Sequence, residues 1–132
     1  MVKVGIAGMG GMGWFHASRY MKLPNVELVA MADIDADRMH AEHAVQINME
    51  DAEARLDPEQ VTRYPNAQAL IADPALDVVD LCLPTYLHAD AAIAALEAGH
   101  HVFCEKPMAL AVEAADRMIE AAERAERKLM IG

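Results

Sequence analysis

The stretch Val2-Lys3-Val4-Gly5-Ile6-Ala7-Gly8-Met9-Gly10-Gly11-Met12-Gly13 decides the fold of this chain. Residues 2–7 are apolar and rich in β-branched side chains, which predicts a short strand buried on both faces. The glycines at 8, 10 and 13 then form the pattern G-x-G-x-x-G directly after that strand. A strand followed by this pattern is typical of the turn that binds a dinucleotide.

Each of the three spaced glycines has a separate expected role. Gly8 allows the tight turn off the strand, Gly10 lets the backbone approach a pyrophosphate, and Gly13 lets the next helix pack closely. That helix is predicted over residues 14–23 and is ended by Pro24. Its first N–H groups would face the phosphate charge.

An acidic residue completes the fingerprint. A second apolar run, residues 26–32, ends in Asp33, which lies 20 residues after Gly13. A carboxylate at the end of the second strand accepts hydrogen bonds from a ribose. It also repels a 2′-phosphate, so the sequence predicts NAD as the cofactor rather than NADP.

The residues after Asp33 predict a second helix over 34–44, with Asp35 as its N-cap. Arg38 is expected on the solvent face of that helix, although a positive charge here is the one feature that favours NADP. His40 and His43 lie one helical turn apart. Without a third ligand at helical spacing they indicate an exposed polar face, and we predict no metal site.

Length and composition restrict the class of protein. A chain of 132 residues, 55% hydrophobic and 24% charged, is expected to form one globular domain. We find no apolar run long enough for a membrane span and no signal peptide, so we expect a cytoplasmic protein. The formal charge of -10 makes nucleic acid and anionic membranes unlikely as partners. Cys82 and Cys104 are interpreted as small buried hydrophobes in a reducing compartment.

Two later strands end in polar loops. Residues 76–84 predict the fourth strand, followed by a loop over 84–88 that contains Thr85 and His88. Ligands of open parallel sheets bind at such carboxyl-end loops. For His88, a cofactor contact and a packing or capping role are equally open.

The fifth strand, predicted over residues 100–104, leads into Glu105-Lys106-Pro107 at the same sheet edge. Lys106 there is a fixed positive charge that can hold a substrate or ribose hydroxyl. Glu105 is expected to orient it, and Pro107 to stiffen the loop.

Other segments complete the predicted order of elements. Residues 45–62 are acidic and polar and predict a short helix and loop around one sheet edge. Asn66 is expected to cap a helix over 67–72. A long helix over 111–127 and a sixth strand beginning at Lys128 follow. The fold class is therefore α/β, a doubly wound parallel sheet of the Rossmann type in a single domain over residues 1–132.

These motifs together resemble the amino-terminal half of the family of glucose-fructose oxidoreductase, inositol dehydrogenase and MocA-type rhizopine-catabolism proteins. The matching stretches are 4–13 with His16, 32–33, 84–88 and, most specifically, 95–107 with its Glu-Lys-Pro tripeptide. The resemblance implies hydride transfer between a nicotinamide cofactor and a secondary alcohol of a sugar, cyclitol or related polyol. It also implies that Lys106 contacts the nicotinamide ribose and the substrate and assists catalysis. The candidate cofactor-binding residues are Gly8, Gly10, Gly11, Met12, Gly13, Asp33, Thr85, His88, Glu105 and Lys106.

The family resemblance implies a further α/β domain that supplies the substrate pocket, the proton-transfer residues and usually a homo-oligomer interface. We therefore expect this chain to be a cofactor-binding domain that is inactive alone. One alternative is a standalone nucleotide-binding or regulatory module without redox activity. Another is a site for S-adenosylmethionine, which Asp33 would also suit but which leaves Glu105-Lys106-Pro107 unexplained. An exposed apolar patch is expected where the second domain docks.

Overall fold

Six parallel strands form one sheet in the order β3-β2-β1-β4-β5-β6. The structure is a computed structural model and describes residues 1–40 and 60–132. The strands are β1 (Val2–Ala7), β2 (Val26–Ala32), β3 (Thr62–Tyr64), β4 (Val78–Leu81), β5 (His101–Cys104) and β6 (Leu129–Ile131).

The strand order confirms the predicted doubly wound sheet. The chain begins at the centre with β1, moves outward through β2 and β3, then crosses back to β4 and continues outward. At the switch point Ala7 is paired with Ala32 on one side and with Leu81 on the other, and Leu81 is paired with Cys104. The carboxyl ends of four strands therefore meet at one edge of the sheet, as the sequence predicts.

Helices cover both faces of the sheet. They are α1 (Gly11–Tyr20), α2 (Ala67–Ile71), α3 (His88–Glu97) and α4 (Val112–Ala125), with short 3-10 helices at Ala36–Met39 and Thr85–Leu87. Trp14 and Ala17 of α1 belong to one buried cluster with β1 and β2. Side chains of α2, α3 and α4 belong to a second buried cluster. Each face of β1 is thereby buried, which explains its almost unbroken apolar sequence.

Helix ends differ from the sequence predictions. Helix α1 begins at Gly11 because Gly10, in an extended conformation, is its N-cap, three residues before the predicted start. Residues 34–44 do not form the predicted helix in their described part: Asp35 accepts a hydrogen bond from the Asp37 N–H as predicted, but it caps only the 3-10 helix Ala36–Met39. Residue His40 is already extended.

Parts of two predictions lie outside the described residues. The second member of the proposed histidine pair, His43, and almost all of the segment 45–62 fall there. The cap of α2 is described, and Asn66 Oδ1 accepts a hydrogen bond from the Ala69 N–H at 2.8 Å, which confirms that prediction. No helix in the ranges 1–40 and 60–132 combines the length and apolarity needed to cross a membrane.

One buried side chain joins α1 to the segment after β2. Trp14, 2% exposed, donates its indole N–H to the carbonyl oxygen of Arg38 at 2.8 Å. This hydrogen bond fixes the 3-10 helix Ala36–Met39 beside the start of α1. The glycine turn and the segment after Asp33 are thus held together by packing as well as by strand pairing.

Candidate dinucleotide-binding site

The glycine turn has the geometry that its sequence predicts. Gly8 has a φ of +95°, and a Cβ there would overlap the carbonyl oxygen of Cys82. A Cβ on Gly13 would overlap the carbonyl oxygen of Gly8, so only glycine allows α1 to lie this close to the turn. At Gly10 and Gly11, by contrast, a Cβ would meet no atom of the described part of the chain within 4 Å.

The open space in front of Gly10 lies at the start of α1. Gly10 offers no capping side chain, so among residues 1–40 and 60–132 the first N–H groups of α1 have no side-chain cap. Unpaired N–H groups at a helix N-terminus, reinforced by the helix dipole, bind phosphate oxygens. The residues present therefore fit a dinucleotide pyrophosphate.

Asp33 follows β2 directly and is 8% exposed. Its Oδ2 accepts a hydrogen bond from the Met9 N–H at 2.8 Å, and its Oδ1 accepts one from the Asp35 N–H at 2.9 Å. Each carboxylate oxygen keeps a second lone pair for a ribose hydroxyl. The same side chain thus shapes the glycine turn and presents negative charge to the site.

The structure corrects the expected position of Arg38. Its side chain is half exposed, but its guanidinium lies 3.5 Å from Asp35 and 4.0 Å from Asp33. Arg38 also lines the cavity next to Asp33. It is therefore part of the candidate site and not simply a residue of the solvent face.

A cavity of about 690 Å³ lies beside the glycine turn. Gly8, Gly10 and Asp33 form one side of it. The other lining residues come from the start and end of α2, the segment after β4 and α3, and they include the apolar Ile71, Leu83, Pro84, Leu87 and Ala91 beside the polar Asn66, Gln68 and Asp90. A flat apolar ring such as adenine suits the apolar residues among them. Pro84 and Leu87 belong to the predicted loop 84–88, whereas Ile71 and Ala91 carry no signal in the sequence beyond their helical pattern.

His88 does not line that cavity. It is 1% exposed, and its Nδ1 and Nε2 lie 2.9 Å and 2.7 Å from the carbonyl oxygens of Pro107 and Leu83. These contacts favour the packing alternative for this side chain, and the cofactor contact of His88 stays a prediction. His88 joins the loop after β4 to the loop after β5. Thr85 begins the 3-10 helix Thr85–Leu87, which directly precedes His88, and its side chain is half-buried.

Glu105 and Lys106 follow β5. The Glu105 N–H donates to the carbonyl oxygen of Leu81, which fixes this loop beside the end of β4. Glu105 Oε2 accepts a hydrogen bond from the backbone N–H of Lys106 at 3.1 Å, so it contacts the Lys106 backbone rather than orienting the ammonium group as expected. The Lys106 side chain is exposed and forms no ion pair with any of the described residues.

A buried polar network, missed by the sequence analysis, lies behind Glu105. His16 of α1 places Nδ1 2.8 Å from Asp80 Oδ2 and Nε2 3.1 Å from Glu105 Oε1. The Tyr20 hydroxyl donates to the same Asp80 oxygen at 2.8 Å. The Cys82 thiol lies 3.4 Å from His16 Nδ1 and 3.5 Å from Asp80 Oδ1, so it is not only a small hydrophobe. The signal in the sequence is an aspartate inside an otherwise apolar strand.

The network changes the titration of its members. The hydrogen bond to Asp80, with the negative charges of Asp80 and Glu105, raises the pKa of His16 above its ordinary value, against the opposing effect of burial. Burial and the charge of Asp80 raise the pKa of Tyr20 and of Cys82, which keeps both groups neutral. The ligand-type atoms of His16, Asp80 and Cys82 come within 4.8 Å of one another, and in this structure they hydrogen-bond to each other.

The strand order, the glycine turn and the buried acid after β2 define a Rossmann-type dinucleotide-binding domain. A family model described as "Oxidoreductase family, NAD-binding Rossmann fold" matches residues 2–132. The chain therefore belongs to the family of glucose-fructose oxidoreductase, inositol dehydrogenase and MocA-type proteins.

Individual relatives agree with this assignment. The chain is 33% identical over 131 residues to a myo-inositol 2-dehydrogenase of Thermotoga maritima, covering 99% of this chain and 36% of the relative. It superimposes with a TM-score of 0.76 and 37% identity on an NAD-binding oxidoreductase from Klebsiella pneumoniae, covering 99% of this chain and 34% of that one. A biliverdin reductase from Synechocystis, solved with biliverdin and NADP+, gives a TM-score of 0.80 at 28% identity, with 98% and 37% coverage. The chain thus spans about a third of the length of these relatives.

Proposed function

We propose that this chain is the NAD-binding part of an oxidoreductase that transfers hydride between a nicotinamide cofactor and a secondary alcohol of a sugar, cyclitol or related polyol. The observation that carries the proposal is the open, uncapped start of α1 at Gly10, directly beside the Asp33 carboxylate. A nicotinamide group, when bound, supplies the acceptor or donor of hydride. The residues of this chain bind and orient it.

The binding roles divide along the carboxyl edge of the sheet. N–H groups at the start of α1, around Gly11 and Met12, hold the pyrophosphate. Asp33 accepts hydrogen bonds from the adenosine ribose, and the apolar side of the cavity holds the adenine ring. Lys106 and the loop around it serve the nicotinamide end, where the lysine ammonium holds a ribose or substrate hydroxyl. Lys106 is the residue to which we assign the catalytic role.

The charges near the ribose support NAD over NADP. On this proposal the Asp33 carboxylate lies where it would repel a 2′-phosphate, and Arg38 lies 4.0 Å from Asp33 and 3.5 Å from Asp35. An arginine that already faces two carboxylates attracts a phosphate less strongly than an unpaired arginine does. NAD(H) is therefore the proposed cofactor.

The proposal for the whole enzyme extends beyond the residues described. The myo-inositol 2-dehydrogenase relative is about three times as long as the match, which supports a polyol-binding and oligomer-forming domain outside this chain. The free thiols of Cys82 and Cys104 suit a reducing cytoplasm. On this proposal the chain binds NADH but does not turn over a polyol by itself.

Calorimetric titration of the 132-residue chain with NADH and NADPH tests the proposal. We expect NADH to bind clearly and NADPH to bind at least about tenfold more weakly, a difference of about 1.4 kcal/mol. Gly10→Ala should abolish most NADH binding without loss of fold, because its Cβ enters only the open space in front of α1. Lys106→Ala should reduce the affinity less, since it removes one contact at the nicotinamide end. Normal binding by Gly10→Ala, or no binding by the unmodified chain, would contradict the proposal.

A further inference from the structure

The imidazole of His16 lies between two carboxylates that come from different parts of the sheet. Asp80 belongs to β4 and is fully buried, and Glu105 belongs to the loop after β5, with its side chain 14% exposed. The distances are 2.8 Å from Nδ1 to Asp80 and 3.1 Å from Nε2 to Glu105. The Phe103 ring, with its centroid 5.3 Å from that of His16, covers one side of the imidazole.

Two acceptors on one imidazole specify its protonation. A neutral imidazole has one N–H donor and one acceptor nitrogen, whereas the imidazolium ion has two N–H donors. Carboxylates accept but do not donate, so only the imidazolium ion satisfies Asp80 and Glu105 together. The charged form is also favoured by the two negative charges on either side of it.

The other titratable groups around His16 do not replace this charge. Tyr20 from α1 donates to Asp80, and the thiols of Cys82 and Cys104 lie after β4 and at the end of β5. Burial raises the pKa of all three groups, that of Cys104 to about 12, so they stay neutral when His16 titrates. Among Tyr20, Cys82, Cys104 and His16, it is His16 whose charge changes first as the pH rises.

Glu105 transmits the position of His16 to the loop. Its Oε1 faces His16 Nε2, while its Oε2 accepts the hydrogen bond from the Lys106 backbone N–H. The carboxyl group therefore connects the buried imidazole with the exposed segment that carries Lys106. We propose that His16 is a positioning residue whose doubly protonated ring holds Glu105, and with it the Lys106 loop, in place for the nicotinamide end of the cofactor. This inference rests on the proposed function.

Loss of the proton from His16 reverses the interaction with Glu105. If Nδ1–H continues to donate to Asp80, the lone pair of Nε2 points at the Glu105 carboxylate, and two acceptors then repel each other. Glu105 must turn away, and the Lys106 backbone loses its acceptor. We expect the affinity for NADH to fall as the pH rises through the pKa of His16, while binding of the adenosine end alone is unaffected.

The test is calorimetric titration of the 132-residue chain at a series of pH values that begins below the ordinary histidine pKa of 6.5 and continues above the raised pKa of His16. The ligands are NADH and ADP-ribose, which lacks nicotinamide. We expect the NADH dissociation constant to rise severalfold over this range and that of ADP-ribose to stay level. If the chain binds both ligands but its NADH dissociation constant does not change with pH, the inference is overturned. Absence of binding by both would instead contradict the proposed function.

Variants separate positioning from folding. In His16→Gln the NADH affinity should be lower below the pKa of His16, and the part of the pH dependence that comes from His16 should be lost, because glutamine does not titrate. Glu105→Gln should also remove the pH dependence, since its amide can donate to the neutral ring. His100→Gln is the matched control: His100 is also buried with both ring nitrogens at acceptors, but these are the carbonyl oxygens of Leu76 and Ile71, away from the site. It should keep the pH profile of the unmodified chain.

Nuclear magnetic resonance of the unmodified chain provides a readout independent of any variant. The ring nitrogens of His16 should titrate with a midpoint above the ordinary value of 6.5 and both carry protons below it. A midpoint at or below that value would overturn the inference. A pH-dependent NADH affinity retained in both His16→Gln and Glu105→Gln would do the same.

Discussion

At the scale of single residues, Asp33 has a structural and a binding role in one carboxyl group. One oxygen holds the Met9 N–H inside the glycine turn, and the other holds the Asp35 N–H at the start of the next segment. The group is only 8% exposed, so its charge is screened less by solvent than that of a surface carboxylate. Its charge should therefore have a large effect on the relative affinities for NAD and NADP.

Asp33→Asn removes this charge while an amide oxygen can still accept from Met9. We expect the affinity for NADPH relative to that for NADH to rise by about tenfold, or about 1.4 kcal/mol, because Arg38 no longer faces a charged Asp33. The ratio of the two dissociation constants, measured by calorimetry, gives the answer. Asp37→Asn is the control. Asp37 is an exposed acid on the 3-10 helix Ala36–Met39, and its substitution should leave the ratio unchanged. An unchanged ratio in Asp33→Asn would show that Asp33 does not select the cofactor.

Residues near the glycine turn could be predicted from sequence because their constraints are local. The spacing of Gly8, Gly13 and Asp33 reflects one turn and one crossover, which recur with fixed lengths. The His16–Asp80–Glu105 network could not be predicted in this way, since its members are far apart in the chain and meet only after the sheet forms. A buried aspartate in an apolar strand indicates that a partner exists, but not which residue it is.

At the scale of elements, α1 packs against the turn that precedes it so closely that Gly13 has no room for a side chain. A Cβ on Gly13 would overlap backbone, which cannot move as a flexible side chain can. Gly11, in the same helix turn, faces open space. Alanine substitutions at Gly13 and Gly11 therefore distinguish the cost of overpacking from the gain in helix propensity.

Gly13→Ala is expected to lower the free energy of unfolding by at least about 1–3 kcal/mol, the usual cost of forced overpacking. Gly11→Ala should leave it unchanged or raise it by up to about 1 kcal/mol, because alanine is the better helix former. Urea denaturation followed by circular dichroism measures both variants. Equal stabilities would contradict the close approach of α1 to Gly8.

The order and type of most elements could be predicted from apolar runs and breakers, whereas their ends were less certain. Helix α1 starts earlier than predicted because a glycine, Gly10, provides the N-cap without a side-chain signal. After Asp35 the Trp14–Arg38 hydrogen bond and the burial of Met39 hold a short 3-10 helix in place of the predicted longer helix. Tertiary contacts of this kind override local helix propensity.

At the scale of the whole molecule, stability should depend on pH through His16. Its pKa is higher in the folded chain than the ordinary value of 6.5, so its ion pairs contribute fully below that pH. The contribution is lost as the pH rises through the folded-state pKa. The difference in unfolding free energy between the unmodified chain and His16→Gln should therefore shrink with rising pH in urea titrations. A difference that grows with pH would contradict the raised pKa.

The molecule also exposes a groove at α4 and β6, where Glu123, Glu126 and Arg127 lie beside five apolar residues: Met108, Ile119, Ala122, Leu129 and Ile131. Ile119 is 46% exposed there. We expect the chain to self-associate at high concentration through this groove, because apolar surfaces of this kind are buried in interfaces. Sedimentation velocity should show association that Ile119→Glu reduces and that Leu23→Glu, at an exposed apolar residue elsewhere, does not. A monomer at all concentrations would contradict this expectation.

Trp14 gives the molecule an optical reporter of its own binding site. It is the one tryptophan in the sequence, it is buried, and its indole is fastened to the backbone beside Arg38. Reduced nicotinamide absorbs light in the range where tryptophan emits, so an occupied site should quench this single emitter by energy transfer. The signal has one source and a fixed orientation, so each stage of filling the site can be followed in real time without any label.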